Sequence, residues 1–272
     1  MSKLHAEQVT ISYGAADIVR DLTVDIPAGK VTTIIGPNGC GKSTLLKTMA
    51  RLKEAKSGAV YLNGGVIQKM ATKEIAKQMA ILPQTPEAPS GLTVYELISY
   101  GRFPHQSGFG TMTAHDREMI EWSMDVTSVS EFRNREVDAL SGGQRQRVWI
   151  AMALAQETEL ILLDEPTTYL DLSHQLEVLE LLQSLNREEH RTIVMVLHDL
   201  NHAARFADYI VAMRNGEIVS EGTPNAVMTK GNLREVFNID AEIVQHPRSG
   251  KPICLTYDLV KSSQLSLAGT GY

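Results

Sequence analysis

An α/β fold built on a largely parallel sheet is predicted by three features of the sequence. Residues 31–35, 160–163 and 192–197 are short, mostly apolar runs without the polar alternation of a half-exposed strand. Strands covered on both faces read this way. Helix-compatible stretches separate these runs, and strands alternating with helices imply parallel strands joined by helical crossovers. The first run also ends in a glycine-rich loop, Gly36-Pro37-Asn38-Gly39-Cys40-Gly41-Lys42-Ser43-Thr44, that opens directly into a helix.

In chain order, residues 4–11 and 22–26 alternate as short strands, with turns near Gly14 and at residues 27–30. They form an expected antiparallel N-terminal part. The buried strand 31–35 follows, and Leu45, Met49 and Leu52 mark one face of the helix behind the glycine loop. Residues 58–63 suggest a strand, residues 72–80 a short helix and residues 81–84 a strand end. Residues 85–112 are rich in Pro, Gly and Ser around a helical piece at 94–100. Residues 114–125 read as a helix with Ile120 and Met124 on one side, and 148–155 as a strongly apolar helix. The stretch from about 86 to 155 therefore breaks the strand–helix alternation and is expected as an all-helical subdomain. Strands at 160–163 and 192–197 flank a helix at 174–186. Residues 261–272 are expected as a disordered tail.

Composition narrows the possible functions. The chain has 272 residues, 43% apolar and 21% charged, as in soluble globular proteins. No apolar run approaches the ~18 residues of a membrane span. The N-terminus lacks the apolar core of a signal peptide, so a cytosolic location is expected. Two cysteines, Cys40 and Cys254, fit a reducing compartment. The net charge of −6 argues against nucleic acid as a partner.

The glycine loop carries the first chemistry. Glycines let the backbone approach a ligand closely, and a loop entering a helix aims several N–H groups and the positive end of the helix dipole at one point. The spacing Gly36-x-x-x-x-Gly41-Lys42-Ser43 is the P-loop pattern, in which lysine reaches the β/γ-phosphates and the hydroxyl ligates Mg²⁺. A second feature, Leu160-Ile161-Leu162-Leu163-Asp164-Glu165, is an apolar strand ending in two carboxylates. Mg²⁺ takes one or two carboxylates with phosphate and water oxygens, which assigns Asp164 to the metal. Glu165, past the strand end, can act as general base on a water. The third feature, Leu140-Ser141-Gly142-Gly143-Gln144, is another capped helix start able to face an anion. One nucleotide has no obvious need for two such loops.

Taken together and in this order, these motifs resemble the ATP-binding subunit of ABC transporters over most of the chain. GPNGCGKST corresponds to Walker A, LILLDE to Walker B and LSGGQ to the signature. Gln84 in Leu82-Pro83-Gln84 resembles the Q-loop glutamine, Asp171 the D-loop aspartate and His198 the switch histidine. Tyr13 lies where the family places an aromatic ring on adenine. The resemblance implies one ABC ATPase domain over residues 1–260: a P-loop NTPase core at about 1–85 and 156–230, the helical subdomain at 86–155, and a short C-terminal extension at 231–260. It also implies ATP and Mg²⁺ as cofactors, with Gln84 beside Ser43 and Asp164 at the metal. Gly36, Pro37, Asn38, Gly39, Cys40, Gly41, Lys42, Ser43 and Thr44 of one copy would bind the nucleotide. Ser141, Gly142, Gly143 and Gln144 of a second copy, turned head to tail, would close over it. Lys42, Glu165 and His198 would carry catalysis, and Gln84 and Asp171 the coupling between copies and to the membrane.

The stretches from Leu82 to Pro104, Thr167 to Asp171 and Leu197 to Ala203 resemble the iron–siderophore importer branch, which also contains haem and cobalamin importers. That implies integral-membrane permease subunits as direct partners, an extracytoplasmic binding protein as an indirect one, and a peripheral position on the cytoplasmic face. A soluble ABC ATPase serving a cytosolic machine is the distant alternative. Residues 86–110 are expected to form the permease groove. His174, His190 and His202 are expected as ordinary helix or surface residues, and Arg145 and Arg147 as supports of the signature helix. Cys40 has two readings, a small residue that merely fills the loop or, near a helix N-terminus, a thiol of lowered pKa.

Overall fold

The core of the fold is two sheets with a helix between them, and a separate two-stranded sheet follows near the C-terminal end of the described residues. The computed structural model describes residues 3–14, 16–106 and 111–260; the expected tail at 261–272 and part of the expected permease groove lie outside them. Chain order runs β1 (Leu4–Tyr13), β2 (Ala16–Ile26), β3 (Val31–Ile35), α1 (Lys42–Met49), β4 (Ser57–Leu62), β5 (Gly65–Val66), α2 (Thr72–Ala76), β6 (Met79–Leu82), α3 (Val94–Ser99), α4 (Ala114–Val126) and α5 (Gly142–Ala155). It continues through β7 (Leu160–Asp164), α6 (Leu172–Glu189), β8 (Thr192–Val196), α7 (Leu200–Phe206), β9 (Tyr209–Arg214), β10 (Glu217–Gly222), α8 (Pro224–Val227), α9 (Lys230–Phe237), β11 (Ile239–Gln245) and β12 (Pro252–Leu259).

The larger sheet has the order β10-β9-β3-β8-β7-β6. All its neighbours are parallel except β10 with β9. β3, β7 and β8 are buried along their whole length, as their apolar runs require. Because successive side chains point to opposite faces, each strand feeds two cores. Ile34, Leu160, Leu162, Val194 and Val196 pack on one side with Leu45, Leu46 and Met49 of α1 and with β1, β2 and β4. Ile35, Ile161, Leu163, Ile193 and Met195 pack on the other side against the later helices. Each fully buried leucine or isoleucine contributes about 2 kcal/mol. The smaller sheet, order β2-β1-β4-β5, is antiparallel.

Three expected elements differ. The helix at 72–80 stops at Ala76, because Met79 and Ala80 pair with Leu160 and Ile161 as part of β6. The apolar helix begins at Gly142, six residues before the expected 148, because Ser141 and Gln144 form a capping box that starts it through two glycines. β2 is also longer than expected, running from Ala16 with register shifts that break its alternation.

Between β6 and β7 the described residues contribute helices α3, α4 and α5. Arg102 anchors this region. It is 1% exposed; its Nε donates to Asp116 at 2.8 Å, and its Nη1 donates to Ala155 O and Glu157 at 2.7 and 3.0 Å. Desolvation pushes the Asp116 carboxyl up, but the Thr113 N–H and hydroxyl and the Arg102 guanidinium outweigh it and hold the pKa at about 2. A depressed carboxylate stabilises the fold above its unfolded pKa, and that contribution is lost as pH falls through the folded value. The shift corresponds to about 2 kcal/mol, present above pH ~4 and lost toward pH ~2. Arg102→Met leaves Asp116 buried and unpaired. Denaturant unfolding at pH 7 is expected to show a loss of about 3–5 kcal/mol; a loss under ~1 kcal/mol would refute the anchoring role.

Candidate functional site

Parallel strands bring every strand's C-terminal end to one edge of a sheet, and ligands bind outside that edge. Here Ile34 of β3, Val196 of β8 and Asp164 of β7 stand in register. Leu82 of β6 stands beside Leu163. The glycine loop, His198, Glu165 and Gln84 are the next residues off these strands, so sheet register alone gathers them. They surround an open cavity of about 630 Å³, lined also by Tyr13, Ile18, Thr168 and Tyr169.

The loop wraps around Lys42, which is 5% exposed and donates from Nζ to Gly36 O at 2.9 Å and Pro37 O at 3.0 Å. Gly36 cannot be another residue, since a Cβ would lie 2.3 Å from Met213 O and 2.7 Å from Cys40 Sγ. Gly41, at φ 107°, sits in a left-handed turn immediately before α1 and leaves the first helical N–H groups without a side-chain cap. Those groups and the buried ammonium form an anion site. Asn38, Gly39, Gly41, Lys42, Ser43 and Thr44 line the cavity. Gly36, Pro37 and Cys40 are not among its lining residues; the first two act through Lys42.

Of the two readings of Cys40, the structure supports the filler and opposes the lowered pKa. Its thiol is buried, and that burial pushes its pKa up, with the nearby Lys42 charge only partly opposing it. The helix N-terminus does not activate a sulfur turned into the core.

Below the loop, Ser43 Oγ donates to Asp164 Oδ1 at 2.7 Å. Burial raises the Asp164 pKa, with the Ser43 hydroxyl opposing it. The other oxygen, Oδ2, is buried without a hydrogen-bond partner, and Lys47 Nζ stands 3.9 Å away. A buried carboxylate oxygen left open beside a serine hydroxyl and a phosphate site fits Mg²⁺, a cation that takes hard oxygen donors and keeps phosphate and water ligands. Lys47 was not singled out in the sequence, although it lies four residues after Ser43 on the same helical face.

Glu165 leaves β7 in a left-handed backbone conformation, φ 54°, which costs a non-glycine residue on the order of 1 kcal/mol. That turn points its carboxylate into the cavity. Oε2 accepts Gln84 Nε2 at 2.6 Å and the Thr168 hydroxyl at 3.0 Å, and Oε1 lies 2.6 Å from His198 Nε2. Thr168 is a second residue that motif spacing left unassigned; its signal was only its place in the loop before Asp171. Tyr13 is half exposed at the rim, with Lys53 Nζ 4.1 Å from its ring centroid.

Two groups expected to act between copies lie away from this cavity. Residues 141–144 line no part of it: Ser141 caps α5, and the Gln144 side chain turns back to accept the Ser141 N–H at 3.1 Å. Asp171 caps α6 instead. Arg145 donates to Asp138 O and Leu140 O, and Arg147 to Glu177, which supports the start of α5 as expected. His202 and His190 sit at helix ends.

Comparison with known proteins gives this geometry its relatives. A family model described as ABC transporter matches residues 19–168. Over 264 residues the chain is 64% identical to the iron(3+)-hydroxamate import ATP-binding protein FhuC of Bacillus subtilis (strain 168), covering 97% of this chain and 98% of that one. The structure matches a metal-chelate type ABC transporter in an inward-facing conformation with TM-score 0.79 at 28% identity, covering 94% and 96% of the two chains. It also matches the dimeric structure of the bacterial ABC transporter cassette MJ0796 with TM-score 0.72 at 29% identity, covering 81% and 98%. No helix of the described residues is long and apolar enough to cross a membrane. A P-loop sheet edge with this set of side chains, matched along nearly its whole length by such relatives, means that the chain belongs to the ABC transporter family as one of its ATPase subunits.

Proposed function

We propose that this chain hydrolyses ATP for an importer of iron(III)–siderophore complexes, as a head-to-tail dimer held to permease subunits at the cytoplasmic face of the cell membrane. The observation that carries the dimer is the division of the site: Lys42, Ser43, Gln84, Glu165 and His198 lie on or beside one cavity, while residues 141–144, another helix N-terminus, lie away from it. Two copies turned head to tail complete each site, as the similarity to a dimeric cassette supports.

In that arrangement Lys42 and the loop amides bind the β- and γ-phosphates, and Tyr13 stacks on adenine. Ser43, Gln84 and Asp164 would hold Mg²⁺, which when bound would neutralise phosphate charge. Glu165 accepts a proton from water as the water oxygen bonds to γ-phosphorus and the bond to the ADP oxygen breaks. Gln84 and Thr168 orient the Glu165 carboxylate. His198 contacts the γ-phosphate, and the partner's signature loop closes over it, so that loss of phosphate opens the dimer.

We take residues 86–155 as a helical subdomain on a core of 1–85 and 156–230, with 231–260 as an extension. The permease is taken to dock around residues 86–106, where Tyr100 and Phe103 are exposed and stack at 4.9 Å. The ferric-siderophore cargo rests on the 64% identity to a protein named for iron(3+)-hydroxamate import. A binding protein on the far side of the membrane would deliver that cargo. The same branch contains haem and cobalamin importers, which are the competing outcome.

The test is to tag the chain in its host, solubilise membranes gently and identify what co-purifies. The recovered complex is then placed in vesicles with radioactive ferric siderophore. A multi-span permease at equal stoichiometry and ATP-dependent iron accumulation are expected. Uptake of haem or cobalamin in place of the siderophore would overturn the cargo, and recovery without a membrane partner would overturn the importer.

A further inference from the structure

Gly142 and Gly143 stand together at the start of α5, but their surroundings differ. A Cβ on Gly142 would meet nothing within 4 Å. A Cβ on Gly143 would lie 2.5 Å from Cδ2 and 2.8 Å from Cγ of His174. Gly143 is helical, so its backbone does not demand glycine; the imidazole does. A ring on a side chain ordinarily swings aside. This one is pinned, because its Nδ1–H donates to Asp171 Oδ1 at 2.7 Å. The same oxygen accepts the His174 backbone N–H and the Ser173 hydroxyl, both at 3.0 Å. These bonds, the His174 backbone N–H first, hold the Asp171 carboxyl below its usual range. With Nδ1 turned to Asp171, the Cδ2 edge of the ring faces Gly143.

Two further contacts fasten this region, one between α5 and α6 and one between α6 and the loop before it. One turn along, Arg147 of α5 meets Glu177 of α6 at 3.1 Å. Gln175 Nε2 donates to Leu170 O at 2.9 Å, tying α6 to the loop that follows Glu165.

We infer that His174 is a positioning residue: seated on Gly143 and pinned by Asp171, it locks the start of α5 to the loop before α6. Ser141, Gly142, Gly143 and Asp171 then meet a second copy of the chain as one rigid surface. The inference rests on the head-to-tail reading of the site. It gives His174, an ordinary helix residue by sequence, a part in dimer closure without any contact to ATP in its own copy.

The test uses the full chain and two measurements. Thermal unfolding without nucleotide is compared for the parent, Gly143→Ala, His174→Ala and the double variant. Gly143→Ala is expected to lower Tm by about 2–4 °C, and by less than half that in the His174→Ala background, where the ring it strikes is gone. An equal cost in both backgrounds overturns the inference. ATP-driven dimerisation is then followed by light scattering in chains that carry Glu165→Gln. His174→Ala is expected to weaken the dimer about tenfold while ATP affinity of the dilute monomer stays unchanged. His174→Asn, which keeps an amide donor for Asp171, is expected to recover part of the loss. A dimer unmoved by His174→Ala, or a matching loss of monomer ATP affinity, sinks the inference alone. If the Glu165→Gln chain itself stays monomeric with ATP, the head-to-tail reading falls and the inference falls with it.

Discussion

Glu165→Gln is expected to lower ATP turnover by about a thousandfold while ATP still binds and dimers accumulate. The geometry argues for this split. The Glu165 carboxylate faces the cavity, and its oxygens take Gln84, Thr168 and His198. An amide keeps the size and much of the hydrogen bonding but cannot accept a proton from water. Lys42, Ser43 and Asp164 are untouched, so phosphate binding survives. Because the γ-phosphate remains, the proposed contacts that close the dimer are expected to persist. Phosphate release measured on the purified chain, beside light scattering with ATP, reads both halves. Turnover within tenfold of the parent would show that another group takes the proton.

Lys42→Ala is expected to weaken ATP binding about a hundredfold, roughly 2.7 kcal/mol. The ammonium is buried, so its attraction to phosphate is poorly screened. Its removal also strips the hydrogen bonds from Gly36 O and Pro37 O, each of the charge-assisted kind. Arginine would not rescue it, since a planar fork does not fit a pocket shaped around a point charge. Titration of a fluorescent ATP analogue checks the loss, with circular dichroism confirming the fold. Affinity within threefold of the parent would remove Lys42 from the phosphate site.

Much of the site was legible because its chemistry is local. A P-loop is nine consecutive residues, and the turn, the helix start and the lysine all lie within it. Asp164 and Glu165 announce themselves as acids at the end of an apolar run. The buried strands were visible for a related reason: a strand covered on both faces has no polar alternation to hide it. Where reading failed or left two answers, neighbours decided. Met79 and Ala80 pattern as helix but pair with β7. Cys40 stands at a helix N-terminus, yet the fold turns its sulfur inward and burial raises its pKa.

By itself the sequence determined the α/β class, the glycine loop that opens α1, the paired acids at the end of β7 and the family, because each is carried by short runs of neighbouring residues. Tertiary structure alone decided that Gln84 and Thr168 hydrogen-bond to Glu165 with His198 Nε2 2.6 Å from its other oxygen, since sheet order brings β6, β7 and β8 side by side. It also left Asp164 Oδ2 buried and open, and seated His174 on Gly143. The reason is physical: chain spacing specifies which groups are present, but burial and contact depend on what packs against them across dozens of intervening residues.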